Sequence, residues 1–484
     1  MADPFAQRRA RLAEEIGDDA IAIIPAAVEV IRSNDNEYDF HQDPDFRYLT
    51  GFPEPEAVAV ITPGHSDGDY TLFVRARDPE MEAWTGYRVG TDGALERYGA
   101  DQAFELSDID EVMTRLMIGR EVIWYRTGNR RHDERVSGLV AKARSHRDRY
   151  GGPVPSAVRD VSVLLAEMRL IKTDDEIEAL RRVCDLSAKG HSEAMRFASP
   201  GLYEYQVQAA LEYYWRLAGA RHNGYPSIVA SGPNACILHY VENDRRVEDG
   251  DLILIDAAAE LEGYSADITR TFPANGAFTA PQRAVYEVVL AATKKGLDMS
   301  APGSTPRAIH EAATRVLTEG LIELGLLPKG LDESLAMHHY REFFFHGTGH
   351  WLGLDVHDAG TYRVPGGAHR KLEPGMAFTV EPGLYIGADK GEITLTLLEY
   401  DQDEWNQRRI LEGRAAALAK EAEAKEQAEK MTHQVPAEFL GIGIRIEDDV
   451  VLTDDGHENL TTSVPKEVEE IEALCAEAPR LPRA

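Results

Sequence analysis

"LILIDAAAELEGYSADITRTFP", residues 252–273, is the stretch on which the reading of this chain turns. An apolar run such as 252–255, bounded by turn residues, is the signature of a buried strand. The run leads straight into Asp256, and Asp267 follows on what reads as the next strand. A carboxylate at the end of a buried strand is costly unless something positive meets it. One such aspartate is more often a turn cap than a ligand. Two, joined by the turn-like "ELEGYSA", form a hairpin that can aim both carboxylates at one point.

Three later segments offer side chains that could meet them. "FFFHGTGHWLGLDVHD" carries His346, His350 and His357, and "PGMAFTVEPGLYIG" puts Glu381 at the end of an apolar strand. "GIGIRIEDDVVLT" puts Glu447 inside an apolar strand, with Arg445 two residues earlier on the same face by strand alternation. Singly, each has a plainer reading: a lone histidine is usually a satisfied core or surface residue, and Glu381 before Pro382 can be a turn. "HGTGH" has the spacing of a helical metal pair, but Gly347 and Gly349 argue against a helix there, so a zincin-type site is not expected. Jointly, the plain readings are strained. Four carboxylates converging would repel unless cations intervened. Two divalent ions would balance them, and one imidazole would complete the set. Oxygen-rich ligation with a single nitrogen suits Mn²⁺ or a similar ion better than a cysteine-type zinc site. Such a pair of ions can activate water and polarise a carbonyl, the usual route to metal-assisted hydrolysis.

The whole chain is compatible with this. Its 484 residues exceed one ordinary core, so two domains are expected. With 43% hydrophobic and 28% charged residues it reads as a globular protein, and no apolar stretch is long enough to span a bilayer. A formal net charge of −31 argues against a nucleic-acid-binding surface. The N-terminus lacks the apolar core of a secretory signal, and the three cysteines, Cys184, Cys236 and Cys475, are scattered. They read as buried thiols in a reducing compartment, and the expected location is the cytoplasm.

Residues up to about 165 mix short strands ("AIAIIP", "AVAVIT", "YTLFVRA") with helical segments, an α/β pattern. Two helices follow, the second with Thr173 as N-cap and Glu176 in capping-box position. The boundary is expected just before the second, near residue 170, giving domains 1–169 and 170–484. In the second, helices at 201–219, 280–297, 306–325 and 331–340 accompany strand pairs at 252–272, 376–387 and 442–452, an α+β arrangement. "LEGRAAALAKEAEAKEQAEKM", residues 411–431, has almost no apolar face and reads as one solvated helix within an insertion at about 389–437.

In this order the four motif segments resemble the five-ligand signature of the methionine aminopeptidase/prolidase superfamily, the pita-bread fold. The similarity to its aminopeptidase P (Xaa-Pro aminopeptidase) branch is stronger. It extends through "ASGPNACILHYVEND" and into "RSNDNEYDFHQDPDFRYLTGFPEPEAVAV", leaving out only about 389–437. The resemblance implies a creatinase-like α/β domain followed by a pita-bread catalytic domain. It implies that Asp256, Asp267, His350, Glu381 and Glu447 bind two divalent ions, Mn²⁺ first and Co²⁺ or Zn²⁺ next, with Asp267 and Glu447 bridging both. His239 and His357 match the family's substrate and transition-state histidines, and His346 a further active-site histidine. Tyr385 and Arg445 match residues supporting the site. Trp84 and Asp35 match residues that an adjacent subunit contributes in family oligomers, so a homodimer or homotetramer is expected. Ala258 departs from the family's glycine at that position, and the insertion is longer than in bacterial relatives.

The implied activity is release of the N-terminal residue from peptides with proline second. The X-Pro bond is a tertiary amide with no N–H and a fixed ring, for which a dedicated pocket makes chemical sense. Phe343, Phe344 and Phe345 could line it, although consecutive aromatics are more often core. A prolidase acting on Xaa-Pro dipeptides is the nearest alternative. A binding module on the same fold, or a metal-free creatinase-like hydrolase, is disfavoured because all five ligand-type residues are present.

Overall fold

Leu252–Asp256 is a strand, with every residue from 252 to 255 buried, and it is the middle of three. Ile228–Ser231 flanks it on one side and Thr269–Pro273 on the other, both antiparallel, so that Ile228 and Thr269 stand opposite Asp256. The chain between the two aspartates makes a smaller hairpin, Ala259–Leu261 against Tyr264–Ser265. Asp267 therefore lies in irregular chain two residues ahead of its strand, a correction to the reading that placed it on the strand.

The computed structural model describes residues 3–150, 152–328, 330–397 and 402–481. The chain divides into two compact units, Met1–Arg169 and Leu170–Ala484. The first is an α/β unit built on six strands in the order Gln102–Glu105, Tyr70–Val74, Val58–Ile61, Ala20–Pro25, Val122–Trp124 and Ala157–Arg159. Pairing is antiparallel from Ala20–Pro25 through Tyr70–Val74 and parallel at both edges. Its core joins Ile21, Val60, Phe73 and Ile123 of the sheet to Val112, Met113 and Leu116 of the helix Ile109–Met117.

In the second unit the helices Asp174–Phe197, Glu204–Leu217, Ala280–Asp298 and Pro306–Glu323 agree with expectation. The Glu176 carboxylate accepts the Thr173 N–H at 3.1 Å, as its capping-box position predicts. The segment expected as one helix at 331–340 is instead Leu331–Ala336, then a break at His338, whose φ is +57°, then a short 3-10 turn, His339–Glu342.

The strand pairs expected within 376–387 and within 442–452 are not local hairpins. Ala377–Val380 pairs with Asp448–Leu452, whereas Gly383–Ile386 pairs with Ile442–Arg445. The two segments run antiparallel past each other, and both ladders break at one level, Glu381-Pro382 facing Ile446-Glu447. Proline 382 has no N–H to give a ladder, so a break there has a chemical cause. At the break both glutamates are released from strand alternation and can turn to the same side. Alternation alone had placed Glu447 inside a continuous strand.

The insertion is also not one solvated helix. Glu392–Leu397 and Glu429–Gln434 form an antiparallel stalk of six residue pairs, crowned by the helices Gln402–Leu411 and Arg414–Gln427. Residues 398–401 lie outside the described residues. Ala417 is buried between these helices, and Arg409 pairs with Glu421 at 2.8 Å, so the crown has its own small interior. Among the described residues no helix is long and apolar enough to cross a membrane.

Candidate active site

The hairpin and the two ladder breaks converge on one cavity of about 520 Å³. Asp256, Asp267, His350, Glu381 and Glu447 all line it, together with His239, His346, His357 and Arg445. The remaining predicted residue, Tyr385, sits just behind, its hydroxyl 2.8 Å from His346 Nε2. His350 Nε2 lies 3.2 Å from Asp267 Oδ2 and 3.8 Å from Glu381 Oε1. Asp267, His350 and Glu447 each offer a donor atom within 4.8 Å of the others, a spacing that suits a shared cation.

Three features of these residues fit divalent ions. First, His350 Nδ1 faces the Trp351 carbonyl at 3.0 Å. A carbonyl only accepts, so Nδ1 carries the proton and the Nε2 lone pair is aimed at a carboxylate. Without a cation this demands a second proton: burial would lower the imidazole, but Asp267 and Glu381 lift it to about 9. Second, the carboxylates are short of positive charge. Burial raises Glu381 to about 7, against the opposing pull of His350 and Arg445. Burial, and then the charges of Asp267, Glu381 and Asp256, hold Glu447 well above the carboxylate range, and burial raises Asp256 too. Third, Asp256 Oδ1 is buried without a hydrogen-bond partner among the described residues, while Oδ2 accepts from Arg445. A buried oxygen without a donor, beside like charges, suits a ligand to a cation.

Behind the cavity wall runs a chain of hydrogen bonds. Arg445 holds Asp256 with Nη2, donates to Tyr385 Oη with Nη1 at 2.9 Å, and reaches Thr269 Oγ1 with Nε at 3.1 Å. Thr269 passes its proton-donor side to Glu447 Oε2 at 2.7 Å. Tyr385 donates to His346 Nε2, whose Nδ1–H points at the Gly347 carbonyl at 2.7 Å. Burial pushes His346 down to about 3, so it stays neutral. His357 lies beside His350, ring centroids 4.1 Å apart and planes tilted by 58°, and burial lowers its pKa as well.

The apolar wall comes from Tyr225, Pro226, Ile228, Leu238, Val241 and Val356. The Phe343–Phe345 run does not line the cavity: Phe343 and Phe344 are core, and Phe345 is half exposed against Tyr385, ring centroids 5.5 Å apart. Ala258 is fully buried and its carbonyl accepts from Gly224 N–H at 2.9 Å, so the methyl is accommodated. Trp84, on Pro79–Thr85, and Asp35, at the turn between Ile31–Ser33 and Asn36–Glu37, are exposed on the first unit. Sequence reading missed Tyr225, whose hydroxyl donates to Asp267 Oδ1 at 2.5 Å, and Thr269. "GYP" looks like turn punctuation, and nothing in its spacing points at an aspartate far along the chain.

Metallopeptidase family M24 matches residues 178–454, which spans all five ligand-type residues. The chain belongs to metallopeptidase family M24. Residues 5–124 match the N-terminal domain of aminopeptidase P, so this M24 chain has the two-domain form with a pita-bread second domain. It is 40% identical to the Xaa-Pro aminopeptidase of Escherichia coli K12 over 98% of each chain. The structure of Pseudomonas aeruginosa aminopeptidase PepP superposes with a TM-score of 0.87 at 46% identity, covering 98% of each chain. Proline aminopeptidase P II from Yersinia pestis gives 0.85 at 40% identity, covering 98% of this chain and 99% of its own. These relatives and solved structures are Xaa-Pro aminopeptidases, which favours that reading over a prolidase.

Proposed function

We propose that this M24 chain is a metal-dependent Xaa-Pro aminopeptidase, releasing the first residue from peptides whose second residue is proline. The observation that carries the reading is one cavity in which an under-neutralised acidic cluster meets four histidines. Asp256, Asp267, His350, Glu381 and Glu447 would hold two divalent ions, with Mn²⁺ as the preferred pair. Bound there, the ions would lower the pKa of water and polarise the scissile carbonyl.

The chain's own residues supply the rest. Glu381, on the cavity wall, would take a proton from water and return it to the departing proline nitrogen. That nitrogen leaves as a secondary amine and must be protonated, so one carboxylate serving both steps keeps the proton count closed. His357, at the cavity wall beside His350, would donate to the oxyanion as the carbonyl becomes tetrahedral. His239, which also lines the cavity, would hold the substrate, and His346, oriented by Tyr385, lies 3.7 Å from Glu381. Pro226, Leu238 and Val241 offer the proline ring an apolar seat. We also propose a cytoplasmic homodimer or homotetramer in which exposed Trp84 and Asp35 face a neighbouring subunit's site.

The test is to compare Mn²⁺-stimulated hydrolysis of Xaa-Pro dipeptides with that of Xaa-Pro-Xaa tripeptides and longer peptides. Faster cleavage of the longer substrates is expected. Activity confined to dipeptides would make the chain a prolidase and overturn the proposal.

A further inference from the structure

Thr379 and Asp449 stand directly opposite each other in the ladder between Ala377–Val380 and Asp448–Leu452. Directly opposed residues project from the same face of a sheet. On that face each grips the backbone of a different ligand-type residue. Thr379 Oγ1 accepts the His350 N–H at 3.2 Å, and Thr379 N–H donates to the His350 carbonyl at 2.9 Å. Asp449 Oδ2 accepts the Asp267 N–H at 2.8 Å and the Cys184 thiol at 3.3 Å. Both side chains are buried, at 1% and 0% exposure, and away from the cavity lining.

This is an expensive arrangement if its purpose is only to satisfy two amides. Asp449 Oδ1 is buried with no hydrogen-bond partner among the described residues, and the carboxylate sits among other acids. A buried carboxylate oxygen left without a donor costs free energy. The two amides gripped belong to Asp267 and His350, whose side chains meet at 3.2 Å. The rung, the two backbones and the two side chains therefore close a frame around one donor pair.

We infer that Thr379 and Asp449 are positioning residues: their rung fixes the separation of Asp267 and His350 and thereby the site's affinity for divalent ions. The inference rests on the metal reading above. Partners that orient metal ligands from behind typically contribute ~10–100-fold in affinity.

The experiment titrates chelator-stripped full-length protein with Mn²⁺ by calorimetry. Thr379→Val and Asp449→Leu keep shape but lose the acceptor, and each is expected to weaken Mn²⁺ binding ~10–100-fold. Thr379→Ser and Asp449→Asn restore the acceptor and are expected to stay within about threefold of the native protein; a rung serving only stability would leave the affinity of every folded variant unchanged. Native near-ultraviolet circular dichroism identifies folded variants, and Thr379→Val carries the test if Asp449→Leu does not fold. Unchanged Mn²⁺ affinity in folded Thr379→Val overturns the inference alone. No Mn²⁺ binding by the native protein overturns the metal reading and this inference together.

Discussion

At the scale of single residues, the site is a problem of charge. Asp256, Glu381 and Glu447 are each held above their ordinary range because burial and neighbouring acids outweigh one buried guanidinium. Removing Asp267, whose charge helps to raise Glu447 and Glu381, would relieve the metal-free protein while disabling the loaded one. Asp267→Ala is expected to abolish metal-stimulated turnover and to unfold, in chelator, no lower than the native protein; steady-state assays and thermal melts check both. A second residue, His191, lies outside the cavity, fully buried, with Nε2 on the Ala257 carbonyl at 2.7 Å. Burial lowers its pKa to about 3, so the fold excludes the protonated form that the unfolded chain takes up below about 6.5. Its contribution is thus complete above that value and is lost as pH falls. Between pH 7 and pH 5 the loss is about 2 kcal/mol. Urea unfolding at the two values should show this extra sensitivity, and His191→Gln should lack it.

At the scale of elements, what was legible in the sequence was the local part. The strand ending at Asp256, the four helices that agree with expectation and the Thr173–Glu176 cap follow from short-range pattern. The pairing of Ala377–Val380 with Asp448–Leu452 does not, because apolar alternation says that a strand is buried but not what it pairs with. For the same reason Glu381 and Glu447 were recognised as interrupting strands, whereas the common level of their breaks was not visible. Thr379 and Asp449 were missed because a threonine in a strand and a second aspartate after Glu447 carry no pattern of their own. Gly349 shows how tight this packing is. A Cβ there would sit 1.9 Å from the Thr379 carbonyl oxygen, so the His350 segment can approach its neighbour only as glycine. Gly349→Ala is expected to cost about 3 kcal/mol and to weaken metal binding, measurable by denaturant unfolding and calorimetry.

At the scale of the molecule, metal and fold are linked. Ions that bind only the native state stabilise it by about 2.7 kcal/mol at a hundred times their Kd. The melting temperature should therefore rise with Mn²⁺ concentration. Because ions must displace protons from acids such as Glu381, at about 7, Mn²⁺ affinity should increase with pH across neutrality. A Kd independent of pH between 6 and 8 would contradict the proton competition. The insertion is tolerated in this scheme because its stalk pairs Glu392 with Gln434, returning the chain close to where it left. The detour thus adds little to the entropy of closing the loop between the two ladder segments.

The interrupted ladder also sets an order of events at the ribosome. The strands Ala377–Val380 and Gly383–Ile386 emerge well before their partners, which lie beyond the entire insertion. At ordinary translation speeds that gap of about fifty residues lasts roughly 3–10 s. Throughout it two apolar strands await mates that have not been made, and chaperone demand during synthesis should concentrate on that interval.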